Sequence, residues 1–176
     1  MGDTVSHRTD TNIEDTMARA TGWAVYGDDE YTETSPLLLP QGVRTQLPIN
    51  KNGIPSSPTI ETHKPVNLTT WWENDTFKPQ RIGESYVLRL GVRADADKDC
   101  RLKLELEISG FGAVIFEKTV PVVKGETSII HEAIPVFVGG GGFLIEGGKF
   151  YLTALGRDIR THQHSVLVQL TYQSIA

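Results

Sequence analysis

The chain has 176 residues, 39% of them apolar and 22% charged, with 17 glycines and 9 prolines. That length suits one well-buried core, and that composition belongs to a folded, loop-rich chain rather than to a disordered tail or a coiled coil. The net charge of −5 comes from residues 1–35, where Asp3, Asp10, Glu14, Asp15, Asp28, Asp29, Glu30 and Glu33 stand against Arg8 and Arg19, and no basic stripe marks a nucleic-acid partner.

No apolar run approaches the roughly 20 residues of a membrane helix. The opening MGDTVSHRTDTNIED lacks the charged-then-apolar layout of a secretion signal, so the expectation is a chain kept in a cytosol, with no membrane partner. A lone Cys100 excludes an internal disulfide framework and a multi-thiolate metal site. The glycosylation sequons at Asn67 and Asn74 are read as idle in that compartment.

Residues 1–21 are polar and read as an extended N-terminal arm. Thr11-Asn12-Ile13-Glu14 has the form of a capping box, and Ile13, Met17 and Ala20 line one side of a short helix if one forms. From residue 22 the pattern changes to short β segments, with Trp23 to Tyr26, Tyr31 to Thr34 and Val43 to Ile49 leading to a turn at Asn50-Lys51-Asn52-Gly53. Pro55, Pro58 and Pro65 make residues 54–65 a long surface loop.

Period-two alternation then dominates. Tyr86, Leu88, Leu90 and Val92 share one side of a strand; Leu102, Leu104, Leu106 and Ile108 share another, with Arg101, Lys103, Glu105 and Glu107 on its wet side. Phe150, Leu152 and Ala154 form a third apolar row, and Val166, Val168, Leu170 and Tyr172 a fourth. The expected fold is all-β: a jelly-roll β-sandwich over residues 22–176 with about eight strands of uneven connection length.

Two segments are apolar on both sides. Ala113 to Phe116 is one; Ile129 to Val138 is the other, with Ile130, Ile134, Val136 and Val138 on one face and Ile129, Ala133 and Phe137 on the opposite one. Such strands need a second cover, supplied by another subunit or by a long loop.

No nucleophile, base and orienting group stand together, so no enzyme is expected. His162 and His164, at i and i+2, share a strand face that suits a metal or, more commonly, faces solvent; with no third ligand to name, no metal and no cofactor is expected. Asp95-Ala96-Asp97-Lys98-Asp99 opens like a calcium loop, but Cys100 and Leu106 stand where glycine and a bidentate glutamate belong, leaving a solvated hairpin turn. Gly139 to Gly142 is followed by the strand-like Phe143-Leu144-Ile145-Glu146 and does not read as a phosphate cradle. Trp71 and Trp72 would point opposite ways in a strand, leaving one exposed beside Glu73 and Asn74, which keeps a glycan open as a secondary partner.

Two stretches resemble known families. Thr21 to Tyr26, Tyr31-Thr32, Ser35 to Leu39 and Gly42 to Pro48, ending at Asn52-Gly53, resemble the opening of virion structural proteins of tailed bacteriophages. Trp71-Trp72, Phe77-Lys78-Pro79, Gly83 to Leu88, Gly147 to Leu152 and Val166 to Tyr172 look like tumour necrosis factor-like jelly rolls. The resemblance implies a homotrimer in a phage virion, assembled in the bacterial host cytoplasm, of the capsid decoration, head-fibre or tail-attachment kind. The doubly apolar segments then supply the trimer contacts, Ala113, Ile115, Ile129, Ala133 and Phe137 among them. On the same expectation the arm meets the major capsid protein or another virion protein through Asp10, Glu14 and Asp15 on basic groups and Ile13 and Met17 in an apolar groove.

Overall fold

The computed structural model describes residues 22–49, 51–54, 71–108, 110 and 112–172. The arm, and with it Asp10, Ile13, Glu14, Asp15 and Met17, lies outside the described residues, as does the proline-rich stretch after Ile54.

Two antiparallel sheets face each other, as a β-sandwich jelly roll. The first contains β1 (Gly22–Gly27), β2 (Leu37–Leu39), β4 (Lys51–Ile54), β7 (Ser85–Asp95), β10 (Ser128–Phe137) and β12 (Ile159–Tyr172). Its strands run in the order β10-β7-β12-β1-β4, and β2 pairs with the start of β12. The second contains β3 (Arg44–Gln46), β5 (Trp72–Glu73), β6 (Thr76–Phe77), β8 (Cys100–Ile108), β9 (Ala113–Val122) and β11 (Gly148–Leu155), in the order β5-β6-β11-β8-β9, with β3 beside β11.

The alternating rows become the core. Leu88, Leu90, Val92, Val166, Val168 and Leu170 point inward from the first sheet against Leu102, Leu104, Leu106, Phe150, Leu152 and Ala154 of the second, all buried. Burying one such side chain contributes roughly 1.5–3 kcal/mol, which is why these rows fix the register of their strands. One end of the core is aromatic: Phe77 meets Tyr86 edge-on at 5.0 Å, and Trp72 stacks on Phe150 at 6.0 Å.

Local readings change in five places. Trp71 and Trp72 are both buried, because only Trp72 begins a strand; its indole N–H donates to the Ile49 carbonyl at 2.9 Å, and the Trp71 backbone N–H donates to the Tyr26 hydroxyl at 2.9 Å. Neither offers a platform to a sugar. Lys51 to Ile54 is strand rather than turn, paired with β1. Residues 31–34 form a turn closed by Thr32 and Ser35 instead of a strand. The Asp95–Asp99 segment joins β7 of the first sheet to β8 of the second, so it crosses between layers and is no hairpin. Gly141–Glu146 is a helix, α1, whose Phe143 packs on Phe77 at 6.0 Å. It stops at Gly147, where φ is 76° and a Cβ would strike the Phe77 carbonyl oxygen.

Candidate assembly surface and a buried histidine cluster

Strands β9 and β10 run along one edge of the sandwich, one from each sheet, and are tied together by Lys118 and Glu132 at 2.7 Å. Each carries a proline, Pro121 and Pro135, as edge strands tolerate. Strand β10 keeps the expected alternation: Ile130, Ile134 and Val136 are buried, while Ile129 and Phe137 remain 58% and 64% exposed and Ala133 is exposed between them. Strand β9 differs. From Ala113 to Ile115 it is exposed at three successive residues, Ile115 at 45% and Val114 at 42%, and its ladder with β8 shifts register in that stretch. Ala113 and Ile115 therefore lie on the edge strand of the second sheet, and Ile129, Ala133 and Phe137 on that of the first, all exposed among the described residues.

That edge continues onto the outer face of the first sheet. Register pairs Ala133 with Arg89, Arg89 with Leu167 and Leu167 with Val25; the next row runs Pro135, Val87, Gln169 and Trp23. A third row, His131, Gly91, Ser165 and Gly27, is the floor of a recess of about 470 Å³ that Arg93 and Asp28 also line. Among the described residues no carboxylate forms an ion pair with Arg89 or Arg93.

The outer face of the second sheet is built otherwise. Arg44 reaches Glu105 at 3.1 Å and Glu107 at 2.6 Å, and its guanidinium lies 3.6 Å from the centre of the Tyr151 ring. Lys103 adds contacts to Glu105 at 3.2 Å and Glu117 at 3.7 Å.

The histidines are not on the surface. His162 and His164 are 2% and 1% exposed, a reversal of the solvent-facing expectation. The ladder between β7 and β12 shifts register between His162 and Ser165, and Gln163 takes φ of 50°, so a bulge separates the two buried rings. His164 Nε2 lies 3.0 Å from the Thr161 hydroxyl and its Nδ1 3.5 Å from Asp28 Oδ2; His162 Nδ1 lies 3.4 Å from Asp95 Oδ2. Hydroxyl, imidazole and carboxylate in this order resemble the wiring of a nucleophilic triad. Thr161 is fully buried, however, so no substrate reaches its oxygen, and the chain Thr161–His164–Asp28 is structural. Burial pushes the His164 imidazole down to about 4, against the pull of Asp28.

The aspartates of the 95–99 segment each have a separate partner. Asp95 accepts from the Thr127 hydroxyl at 2.7 Å, Asp97 meets Arg160 at 2.7 Å and Asp99 accepts from the Lys124 backbone N–H at 2.9 Å. No group of three His, Cys, Asp or Glu side chains is placed to hold a metal among the described residues. Sequence reasoning missed the Arg44 network and the Asp28–His164 contact, since their partners lie 61 and more residues apart. The charged alternation of β8 was the one visible sign of the first; nothing signalled the second.

No family model matches the chain, and no curated protein matches it. Among solved structures it is similar to a chain of the T13 IBDV viral particle, at 9% identity and TM-score 0.47, over 85% of this chain and 31% of that one. It is similar also to the PRD1 vertex protein P5, at 10% identity and TM-score 0.49, over 88% and 98% of the two chains. A third is the Eiger TNF from S. frugiperda, at 13% identity and TM-score 0.47, over 90% and 96%. The chain spans about a third of the IBDV chain it matches. Likeness of this depth assigns neither a role nor a partner to this chain.

Proposed function

We propose that the chain is a structural protein of a virus particle, and within that class a phage capsid decoration or cement protein that binds the assembled head as a trimer. The observation that supports the reading is the apolar edge, where Ile129, Ala133 and Phe137 of β10 and Ala113 and Ile115 of the neighbouring edge strand β9 are exposed among the described residues. Apolar surface of that kind favours a partner, at roughly 25 cal/mol for each Å² removed from water. The trimer uses it, and the arm anchors the trimer to the coat through Asp10, Glu14 and Asp15 with Ile13 and Met17.

The mechanism is mass action. A protein that binds the closed shell and not its separated subunits stabilises the shell through linkage, by about 2.7 kcal/mol per site at a hundredfold excess over Kd. No catalytic step is involved, and no cofactor. A head-fibre or tail-attachment component is the second reading, because it uses the same trimer edge with a different anchor.

The test has two parts. Light scattering of the isolated full chain at micromolar concentration is expected to give three times the chain mass; a monodisperse monomer removes the trimer. Full-length protein and a chain starting at Gly22 are then sedimented with undecorated shells. The full chain is expected to co-sediment and the shortened one to stay in solution. Equal co-sedimentation refutes the arm as anchor, and no binding by either rejects the cement reading for that shell.

A further inference from the structure

The segment that follows β1 is fastened to the bulge of β12. The Asp28 backbone N–H donates to the His164 carbonyl at 3.0 Å, and the Gln163 N–H donates to the Tyr31 carbonyl at 3.1 Å. The Tyr31 ring lies over the His164 imidazole at 5.8 Å between centres. The Asp28 carboxylate, its side chain wholly buried, accepts from the backbone N–H groups of Glu30 at 3.1 Å and Tyr31 at 3.2 Å. One imidazole therefore sits beneath a short loop, with a buried carboxylate on one side and a buried hydroxyl on the other.

We infer that His164 is the proton-sensitive pin of a latch: its neutral ring holds residues 28–35 on the β12 bulge, and its protonation favours the state in which that loop has lifted.

Nε2 lies within hydrogen-bond distance of the Thr161 hydroxyl, either atom able to donate, while Nδ1 faces Asp28 at 3.5 Å without a hydrogen bond. Taking up a second proton places a cation where water does not reach, and Asp28 offsets only part of that cost because its nearest oxygen stands at 3.5 Å. The remaining groups facing the site do not reverse the balance. His162 on the same strand disfavours a second cation nearby, and Asp95 of β7 is closer to His162, at 3.4 Å. Asp75, from the turn between β5 and β6, is engaged by the Ile49 N–H at 2.7 Å. The segment after β3 presents the Pro48 carbonyl, and Arg93 of β7 lines the same recess as a further cation. Tyr31 is neutral, its hydroxyl pushed up by burial and by Glu30 and Asp28.

The sign follows from linkage. The closed ring titrates at about 4, and a ring exposed by loop opening titrates near the ordinary 6.5. Between those values the open state binds more protons, so opening is favoured as pH falls below about 6.5. The opening constant rises about 30-fold from pH 7.5 to pH 5.

The experiment is amide hydrogen exchange on the full chain at pH 7.5 and 5.0, expressed as protection factors so that the intrinsic pH dependence of exchange drops out. The amides of Tyr31 and Gln163 report the latch, and that of Val168 in the centre of β12 reports global opening. Protection at Tyr31 and Gln163 is expected to fall about 30-fold at pH 5 while Val168 changes far less, and His164→Gln is expected to remove the pH dependence. Loop protection that is equal at the two pH values, or falls as far in His164→Gln, overturns the latch; so does a parallel loss at Val168. Should His164→Gln not fold, NMR titration of the wild-type ring decides. A ring titrating well below 6.5 supports the latch, and a midpoint near 6.5 with Tyr31 and Gln163 still protected overturns it.

Discussion

Arg44 and Arg89 are both exposed arginines on strands, one on each outer face of the same sandwich, and their surroundings differ in every respect. Arg44 lies between Glu105 and Glu107 with its guanidinium over the Tyr151 ring. Arg89 lies in register between Ala133 and Leu167, with no ion-pair partner among the described residues. The second sheet fills the centre of its outer surface with charge pairs that water tolerates and the alternation of β8 supplies, while Val114 and Ile115 of its edge strand β9 stay exposed. The first sheet differs: its outer rows mix aliphatic side chains, cations with no ion-pair partner among the described residues and a glycine floor, and along the β10 edge they end in Phe137 and Ile129, more than half exposed. Charges already paired within a sheet gain little from a partner, whereas exposed apolar area, and cations without an ion-pair partner among the described residues, gain from one. The two faces therefore differ in what they leave exposed, and in the proposed trimer the first sheet and its edge are the side that meets a partner.

The comparison breaks most directly at its apolar end. The double substitution Ile129→Lys and Phe137→Glu puts two charges into the proposed contact while removing side chains that the isolated chain leaves largely in water. Self-association is expected to weaken at least 100-fold by sedimentation, about 3 kcal/mol, with the thermal midpoint of the monomer nearly unchanged. Thr119→Glu on the other face is the control and should leave association alone. Equal effects from the two would remove the distinction between the faces.

A smaller effect tests the finished face. Arg44→Ala leaves Glu105, its side chain 5% exposed, with Lys103 as its remaining cation at 3.2 Å and strips the cation from Tyr151. The expected loss is about 1–2 kcal/mol in urea unfolding, from an unpaired half of a charge network and a lost ring contact. Arg89→Ala should cost less than about 0.5 kcal/mol, since it breaks no ion pair among the described residues. If the two losses are alike, the Arg44 network adds nothing to the stability of the second sheet and the two faces do not differ in this respect.

Much of this contrast was legible beforehand, because period-two alternation states which residues share a face. The rows Leu102-Leu104-Leu106 and Val166-Val168-Leu170 went inward as read, and Ile129, Ala133 and Phe137 emerged opposite Ile130, Ile134 and Val136. What alternation does not state is which sheet a strand joins. The 95–99 segment accordingly read as a hairpin, although it passes between layers. Helix α1 was missed because six residues give too few turns for a 3.6 period, and Phe143-Leu144-Ile145 is as apolar as any strand. His162 and His164 were read as facing solvent and are buried, beside a bulge at Gln163 that interrupts the alternation and that no residue type announces. Tryptophan spacing misled for a related reason: Trp71 stands just outside the strand whose geometry would have sent it outward.

The smallest expected effect concerns Gly91, where a side chain on the first outer face is missing altogether. A Cβ there would come within 2.7 Å of the Ser165 hydroxyl and 3.6 Å of His131 Nδ1. The close atom is the tip of a side chain able to rotate away, at a cost of about 0.5–1.5 kcal/mol if Ser165 leaves its best rotamer. Replacing glycine by alanine meanwhile restricts the unfolded chain and contributes about 0.4–1 kcal/mol in the opposite direction. Gly91→Ala should thus shift the unfolding midpoint in urea by less than about 0.5 kcal/mol. Association is the sharper readout. The recess of about 470 Å³ exists because the row His131, Gly91, Ser165 and Gly27 carries so little volume, and a partner side chain seated there would lose room against a methyl group. A several-fold weakening of self-association by Gly91→Ala, without a matching loss of stability, extends the contact from the β10 edge across the sheet. Unchanged association confines it to β9 and β10, where Ile115, Ile129 and Phe137 would then have to supply the apolar contact by themselves.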